Sequence, residues 1–302
     1  MAEPIKISIC IITYNQAQYI ENAIKAAVTQ KTNVPFEVVI SDDRSTDCTP
    51  KICEEYQARY PGLVRFIRQE QNLGTGKHWI SALRECRGRY VALCEGDDYF
   101  SCDSKIQKQF EIMERSPECS LCTHEVFVHN EVCAKTFKGA AGIWIDNLRL
   151  SGMRSVRGLI STSLFDKEQF WKRRRMYRGH KRYRDADFKK ILSAQLGKHY
   201  IHTVSMFART DYATKFPTEF LEVVGFHKGL IIWMSLFGAV KHLPDVMSTR
   251  VIQSTSSAIT KREKKILSGK KSFDDPKSEF LKMLKYYCSP VQKQIVQQYL
   301  NR

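Results

Sequence analysis

Apolar runs that stop abruptly in polar clusters constrain this chain more than any other feature. "IKISICIITY" is rich in isoleucine and shows no polar alternation, the mark of a strand buried on both faces. After Asn15, the residues Tyr19, Ile20, Ala23, Ile24, Ala27 and Val28 recur at helical spacing. The unit then repeats. "FEVVISDD" is a second strand, Asp47 can cap a helix beginning near Pro50, and "GLVRFIRQ" is a third strand. "NLGTGKHWISALREC" turns into another helix, and "GRYVALCEGDD" closes the series as a fourth strand. Strands and helices in this alternation predict an α/β fold with a mostly parallel sheet and helices on both sides.

Sheets of this kind bind ligands beyond the carboxyl ends of their strands. Thr13-Tyr14-Asn15, Asp42-Asp43, Asn72 to Lys77 and Glu95 to Asp98 all fall there, so four strand ends aim polar residues at one crevice. The last cluster is the sharpest. Three acids at the tip of a buried strand repel one another, and burying them costs several kcal/mol, roughly, without compensation. Hard carboxylate oxygens suit Mg²⁺ or Mn²⁺, which one or two carboxylates typically hold together with water and phosphate oxygens. Neither a Walker-type glycine loop nor GxGxxG follows the first strand, which disfavours P-loop and dinucleotide-binding readings.

The rest of the chain is less regular. "SKIQKQFEIMERSP" reads as an amphipathic helix, followed by a strand around Val126. Cys119, Cys122, His124 and His129 suggest zinc only faintly, because the alternation in "CSLCTHEVFVHN" suits a half-buried strand. The Asp-x-Asp at Asp185 and Asp187 reads as the capped start of a helix rather than a metal site. Two amphipathic helices close the chain, one carrying Phe280, Leu281, Leu284 and Tyr287, the other Val291, Ile295, Val296 and Tyr299. They suit packing on the main domain or on a second subunit, which leaves a homo-oligomer open. The expected organisation is 1–253 as one domain, divided into 1–130 and 131–253, with 254–302 as a helical extension.

Composition adds limits. The 302 residues include 43% hydrophobic ones, enough for a substantial core, and carry a formal net charge of +16. That surplus fits an anionic substrate, an acidic lipid surface or nucleic acid, and charge alone does not separate them. Eight Lys or Arg crowd 172–184, read first as a solvated face and second as a contact for an anionic membrane or acceptor. Ten irregularly spaced cysteines fit reduced thiols. No secretory signal opens the sequence, and the longest apolar stretch, Gly229 to Val240, is too short to span a bilayer. A cytoplasmic protein is expected, with peripheral contact at the inner membrane face as a variant.

"ISICIITYNQAQYIENAIKAAVTQ", "EVVISDDRSTDCT", "QNLGTGKHWISALRECRGRYVALCEGDDYF" and "KIQKQFEIME" together resemble the GT-A glycosyltransferases of family 2. The likeness resumes at "IHTVSMFARTD" and at "GFHKGLIIWMSLFGAVKHLPDVMSTR". It implies a GT-A sheet with a Rossmann-like nucleotide half and inverting, Mn²⁺- or Mg²⁺-dependent transfer of a hexosyl or N-acetylhexosaminyl group. The donor it implies is a nucleotide-diphosphate sugar, often a UDP-sugar. The implied acceptor hydroxyl belongs to a glycan or lipid-linked molecule, as in polysaccharide biosynthesis. By position, Thr13, Tyr14 and Asn15 would line the nucleotide pocket, and Asp42 and Asp43 would approach base and ribose. Asn72, Gly74 and Lys77 would border the nucleotide and diphosphate. Asp97 and Asp98 would face ribose and metal, with Asp98 the main ligand and Glu95 in place of the usual first aspartate. At the base, counting back from Gly238 puts His227 where an aspartate usually stands, with Glu222 five residues earlier as the other candidate. The competing readings are a nucleotidyltransferase, a degenerate nucleotide- or glycan-binding scaffold, and nucleic-acid binding, which charge alone supports.

Overall fold

The computed structural model describes residues 3–131, 135–138, 185–186, 189, 191–192, 201–253 and 276–301. The basic segment 172–184 and Asp187 lie outside the described residues.

The first strand, β1 (Ile7–Thr13), is buried throughout. Its alternation divides the interior in two. Ile7, Ile9 and Ile11 enter one core with Ile20 and Ile24 of helix α1 (Ile20–Val28). Cys10 and Ile12 enter the other with Trp79 and Leu83 of α3 (Thr75–Arg84). Each such buried isoleucine contributes about 2 kcal/mol of transfer free energy, so the strand has to be central. It pairs in parallel with β2 (Phe36–Asp42) on one side and β4 (Tyr90–Glu95) on the other, and β3 (Val64–Arg68) extends the sheet beyond β2. Helix α2 (Thr49–Arg59) joins β2 to β3. Asp47 helps start α2, but through the first-turn Thr49 N–H (2.9 Å) and with Cys48 at the capping position.

Beyond β4 the sheet becomes mixed. With β5 (Tyr99–Phe100), β6 (Cys119–Asn130), β7 (Lys135–Lys138), β8 (Asp185–Ala186), β9 (Phe207–Arg209) and β10 (Ala239–Ile252), its order is β3-β2-β1-β4-β9-β6-β10-β5, with β7 on β6 and β8 on β10. Strand β9 runs antiparallel to both β4 and β6, whereas β6 and β10 are parallel. The strand reading of "CSLCTHEVFVHN" holds. Asp185, expected at a helix start, instead opposes Lys241 in β8: a backbone ladder with β10 takes the N–H and C=O groups that a helix would have used.

Helices α4 (Lys105–Arg115), α5 (Thr210–Ala213), α6 (Phe220–Val223) and α7 (Phe226–Ser235) cover the sheet. The two C-terminal helices, α8 (Pro276–Lys285) and α9 (Pro290–Leu300), dock through Phe280, Leu281, Leu284 and Val296 onto the core that holds Phe220 and Trp233. Ser289 and Gln292 form a capping box at the start of α9. Among the described residues no helix is long and apolar enough to cross a membrane.

Candidate active site

The parallel strands end together, and their loops are cross-tied. Asn15 adopts φ 52, a left-handed conformation that asparagine tolerates better than most residues. Its N–H donates to Ser45 Oγ (2.8 Å), and its Oδ1 accepts from Thr46 N (2.8 Å). Ser45 also donates to Asp42 through its hydroxyl and backbone N–H, and Arg68 Nε stands 3.6 Å from the same carboxylate. Asp43 is spent on the third strand end: it accepts from Leu73 N (2.7 Å) and Gly74 N (2.9 Å), while Asn72 Nδ2 donates to its carbonyl (3.0 Å). Gly74 precedes α3 at φ 75, the conformation that favours glycine. Both aspartates are thus buried frame members that shape the crevice. Tyr14, Asn15, Asn72 and Lys77 present exposed side chains along its rim, and Thr13 is buried.

At the fourth strand end, Gly96 N–H donates to Ile12 O (2.8 Å) and Asp98 N–H to Glu95 O (2.9 Å), folding the acids into a tight turn. The glycine is required by space. A Cβ at position 96 would lie 2.5 Å from Gln16 Oε1 and 2.9 Å from Thr13 Cβ. The three carboxylates then diverge. Glu95 Oε1 meets His227 Nε2 at 3.1 Å, Asp97 Oδ2 accepts from Gln253 Nε2 at 2.8 Å, and Asp98 Oδ1 accepts from Val251 N at 2.8 Å. Their charges are unequally compensated. Burial and repulsion from Glu95 push the Asp97 carboxyl up to about 6, against relief from Arg250 and Gln16. Burial, Asp97 and Glu95 push Asp98 well above the usual carboxylate range. Burial opposes ionisation of Glu95 as well, but His227 and Arg250 outweigh it and hold that group below its ordinary value.

Register explains why β10 supplies the partners. Tyr99 and Phe100 form the short strand β5, which pairs antiparallel with Thr249 and Ser248. Zipping those residues together carries Arg250 to Gln253 directly alongside the acidic turn. Sequence reasoning missed Arg250, whose charge acts on all three acids, and Gln253. It also missed His202, whose Nδ1 lies 3.3 Å from Arg250 Nη1. Guanidinium only donates, so this His202 nitrogen accepts. The available signal was polar residues at the end of a strand, "TRVIQ", but nothing local said which loop they would face.

Of the two candidate bases, the structure brings His227 to the turn. Phe226, beside it, stacks on Trp79 (ring centres 5.3 Å apart) and fixes the start of α7. Glu222 is exposed on α6, and no hydrogen bond among the described residues joins it to the turn. Also among the described residues, no group of three or more His, Cys, Asp and Glu side chains is arranged to enclose a metal. The acidic turn fits a cation held by one or two carboxylates: Asp97 and Asp98 offer hard oxygens and uncompensated charge, while Glu95 is engaged by His227.

Known proteins agree with this architecture. Residues 8–140 match the family model for glycosyl transferase family 2, bearing out the resemblance over that stretch. The uncharacterized protein Rv1520 of Mycobacterium tuberculosis is 41% identical over 156 residues, 52% of this chain and 45% of that protein. The chain thus spans about half the length of the curated relatives it matches. Among solved structures, S. aureus TarS 1-349 in complex with UDP-GlcNAc superposes with a TM-score of 0.58 at 16% identity, covering 98% of this chain and 72% of that one. Mannosyltransferase PcManGT from Pyrobaculum calidifontis, in complex with GDP-Man and Mn²⁺, gives 0.58 at 14% identity, covering 99% and 71%. The fold is GT-A-like.

Proposed function

We propose that the chain is a metal-dependent inverting glycosyltransferase that moves a sugar from a nucleotide-diphosphate donor to a hydroxyl of a glycan or lipid-linked acceptor. The observation that carries this reading is the acidic turn, where burial and mutual repulsion, only partly relieved by Arg250, hold the Asp97 and Asp98 carboxyls above their usual range. The family match, and the nucleotide sugars named for the TarS and PcManGT complexes, support the donor class. A UDP-sugar is the first donor to test.

Asp98 and Asp97 would hold Mg²⁺ or Mn²⁺, which offsets charge on the diphosphate leaving group. The chain's own residues do the rest. Tyr14, Asn15 and Lys77 border the donor crevice, with Asp42, Asp43, Asn72 and Gly74 holding its walls in shape. Ionised Glu95 accepts from His227 Nε2–H, so the lone pair of a neutral His227 ring lies on Nδ1. That atom takes the acceptor proton as the hydroxyl attacks the anomeric carbon from the face opposite the leaving group. A carboxylate on the far ring nitrogen orients the imidazole and stabilises the cation that forms.

Release of nucleoside diphosphate from UDP-GlcNAc, UDP-glucose and GDP-mannose, with and without Mn²⁺, tests the assignment. Release that needs Mn²⁺ and disappears in Asp98→Asn supports it. Release of pyrophosphate instead would point to a nucleotidyltransferase.

A further inference from the structure

The strand ends opposite the acidic turn carry a second concentration of chemistry. An open cavity of about 640 Å³ lies where β4 begins and β9 ends, and Cys86, Arg87, Arg89, Arg209, Thr210 and Asp211 help to line it. Since β4 runs from Tyr90 to Glu95, a strand of six residues, about 20 Å, separates this cavity from the acids.

The guanidinium groups of Arg89 and Arg209 are held in place, and the positive charge around the cavity is only partly balanced. Arg209 donates to Cys119 O (2.7 Å), Pro117 O (3.2 Å) and Tyr90 Oη (3.3 Å), all uncharged acceptors. Arg89 pairs with Glu114 (2.9 Å). Both lie against one ring, with Cζ atoms 5.3 Å (Arg89) and 5.4 Å (Arg209) from the centre of Tyr90. Arg87 is exposed, and its backbone N–H is tied to Glu37 (2.7 Å). Among the described residues neither Arg87 nor Arg209 has a carboxylate within ion-pair distance of its guanidinium; of the acids nearby, Glu37 is paired with Arg65 and Glu114 with Arg89, and Asp211 lies on the wall. The wall also holds Thr210, whose buried Oγ1 has no hydrogen-bond partner among the described residues.

We propose that this cavity is a binding site for a phosphate-bearing ligand, separate from the donor crevice. Guanidinium presents paired N–H donors that match phosphate oxygens, and its positive charge strengthens each hydrogen bond. Carbonyl anchors already hold Arg209 in place, so little side-chain freedom is lost on binding. The cavity also falls within the usual size range for small-ligand sites. A free diphosphate and a phosphate ester offer the same chemistry.

Cys86 is a built-in reporter, and exposed Cys48, beside Asp47, is its control. In metal-free buffer, which keeps the donor site out of the reading, each thiol is modified with a sulfonate-bearing or a trimethylammonium-bearing methanethiosulfonate and mapped by mass spectrometry. Cys86 should favour the anionic reagent over the cationic one by at least about fivefold more than Cys48 does. Pyrophosphate should slow Cys86 modification by a similar factor and leave Cys48 unchanged, and Arg87→Glu should abolish both effects. Protection by glycerol 3-phosphate as well would assign an esterified ligand, and protection by pyrophosphate alone a free one. Absence of charge preference, equal protection of both thiols, or protection that survives Arg87→Glu overturns the site. Should Cys86 not react, metal-free calorimetric titration of pyrophosphate into wild type and Arg87→Glu decides the matter: binding confined to wild type supports the site, and anything else removes it.

Discussion

Replacing Asp97 with asparagine should make the metal-free protein more stable while destroying its donor site. The folded carboxyl titrates at about 6 against an ordinary 3.8, a gap of about two units. At about 1.4 kcal/mol per unit this amounts to about 3 kcal/mol, and solvent screening at a half-buried position trims it to about 2. The sign follows from proton affinity. Folding raises the pKa, so the favourable contribution is fully present below pH 3.8 and is lost as pH rises through 6. Asparagine mimics the protonated form, and its Oδ1 can still accept from Gln253. Urea unfolding in EDTA should therefore find Asp97→Asn more stable by about 2 kcal/mol at pH 7.5 and level with wild type near pH 4. The test is made on the difference between the two proteins, which cancels the groups remote from the turn, and relief of Asp98 from its charged neighbour acts in the same direction. A variant no more stable at pH 7.5, or one whose advantage is unchanged at pH 4, would refute the claim that this turn holds uncompensated charge.

Gly96→Ala sets a Cβ against Thr13 and Gln16, and overpacking there should cost about 1–3 kcal/mol by urea unfolding and weaken nucleotide binding with it. Arg250→Met removes a cation that acts on all three acids; the expected loss is on the order of 2 kcal/mol at pH 7.5 and smaller at pH 4.5, where Asp97 is protonated. His227→Ala should leave nucleotide binding intact by calorimetry and lower the rate of sugar transfer by about 100-fold or more, whereas Glu222→Ala should leave both unchanged.

The parallel half of this fold was legible because local rules and tertiary structure agree there. Isoleucine-rich runs with no polar face can only be central strands, and each ends in residues too polar to continue. For the same reason the position of the turn that carries Asp97 and Asp98 could be read from its own strand and loop. The partners of the turn could not. Arg250 and Gln253 reach it through the pairing of Thr249 with Tyr99, a contact between residues far apart in sequence that leaves no periodic trace. The positions of the two candidate bases likewise differ only in space: His227 on α7 reaches Glu95, whereas Glu222 lies exposed on α6. In the helix expected from "DFKKILSAQ" the described residues 189, 191 and 192 are helical; only Asp185 departs from the reading, because a ladder with Lys241 takes its backbone.

Calorimetric titration of UDP, GDP and dTDP, with and without Mn²⁺, into wild type and Asp98→Asn tests the central claim most directly. The account predicts Mn²⁺-dependent binding of one nucleotide by the wild type and its loss in the variant. Failure of the folded wild type to bind any of the three in the presence of Mn²⁺ would contradict it.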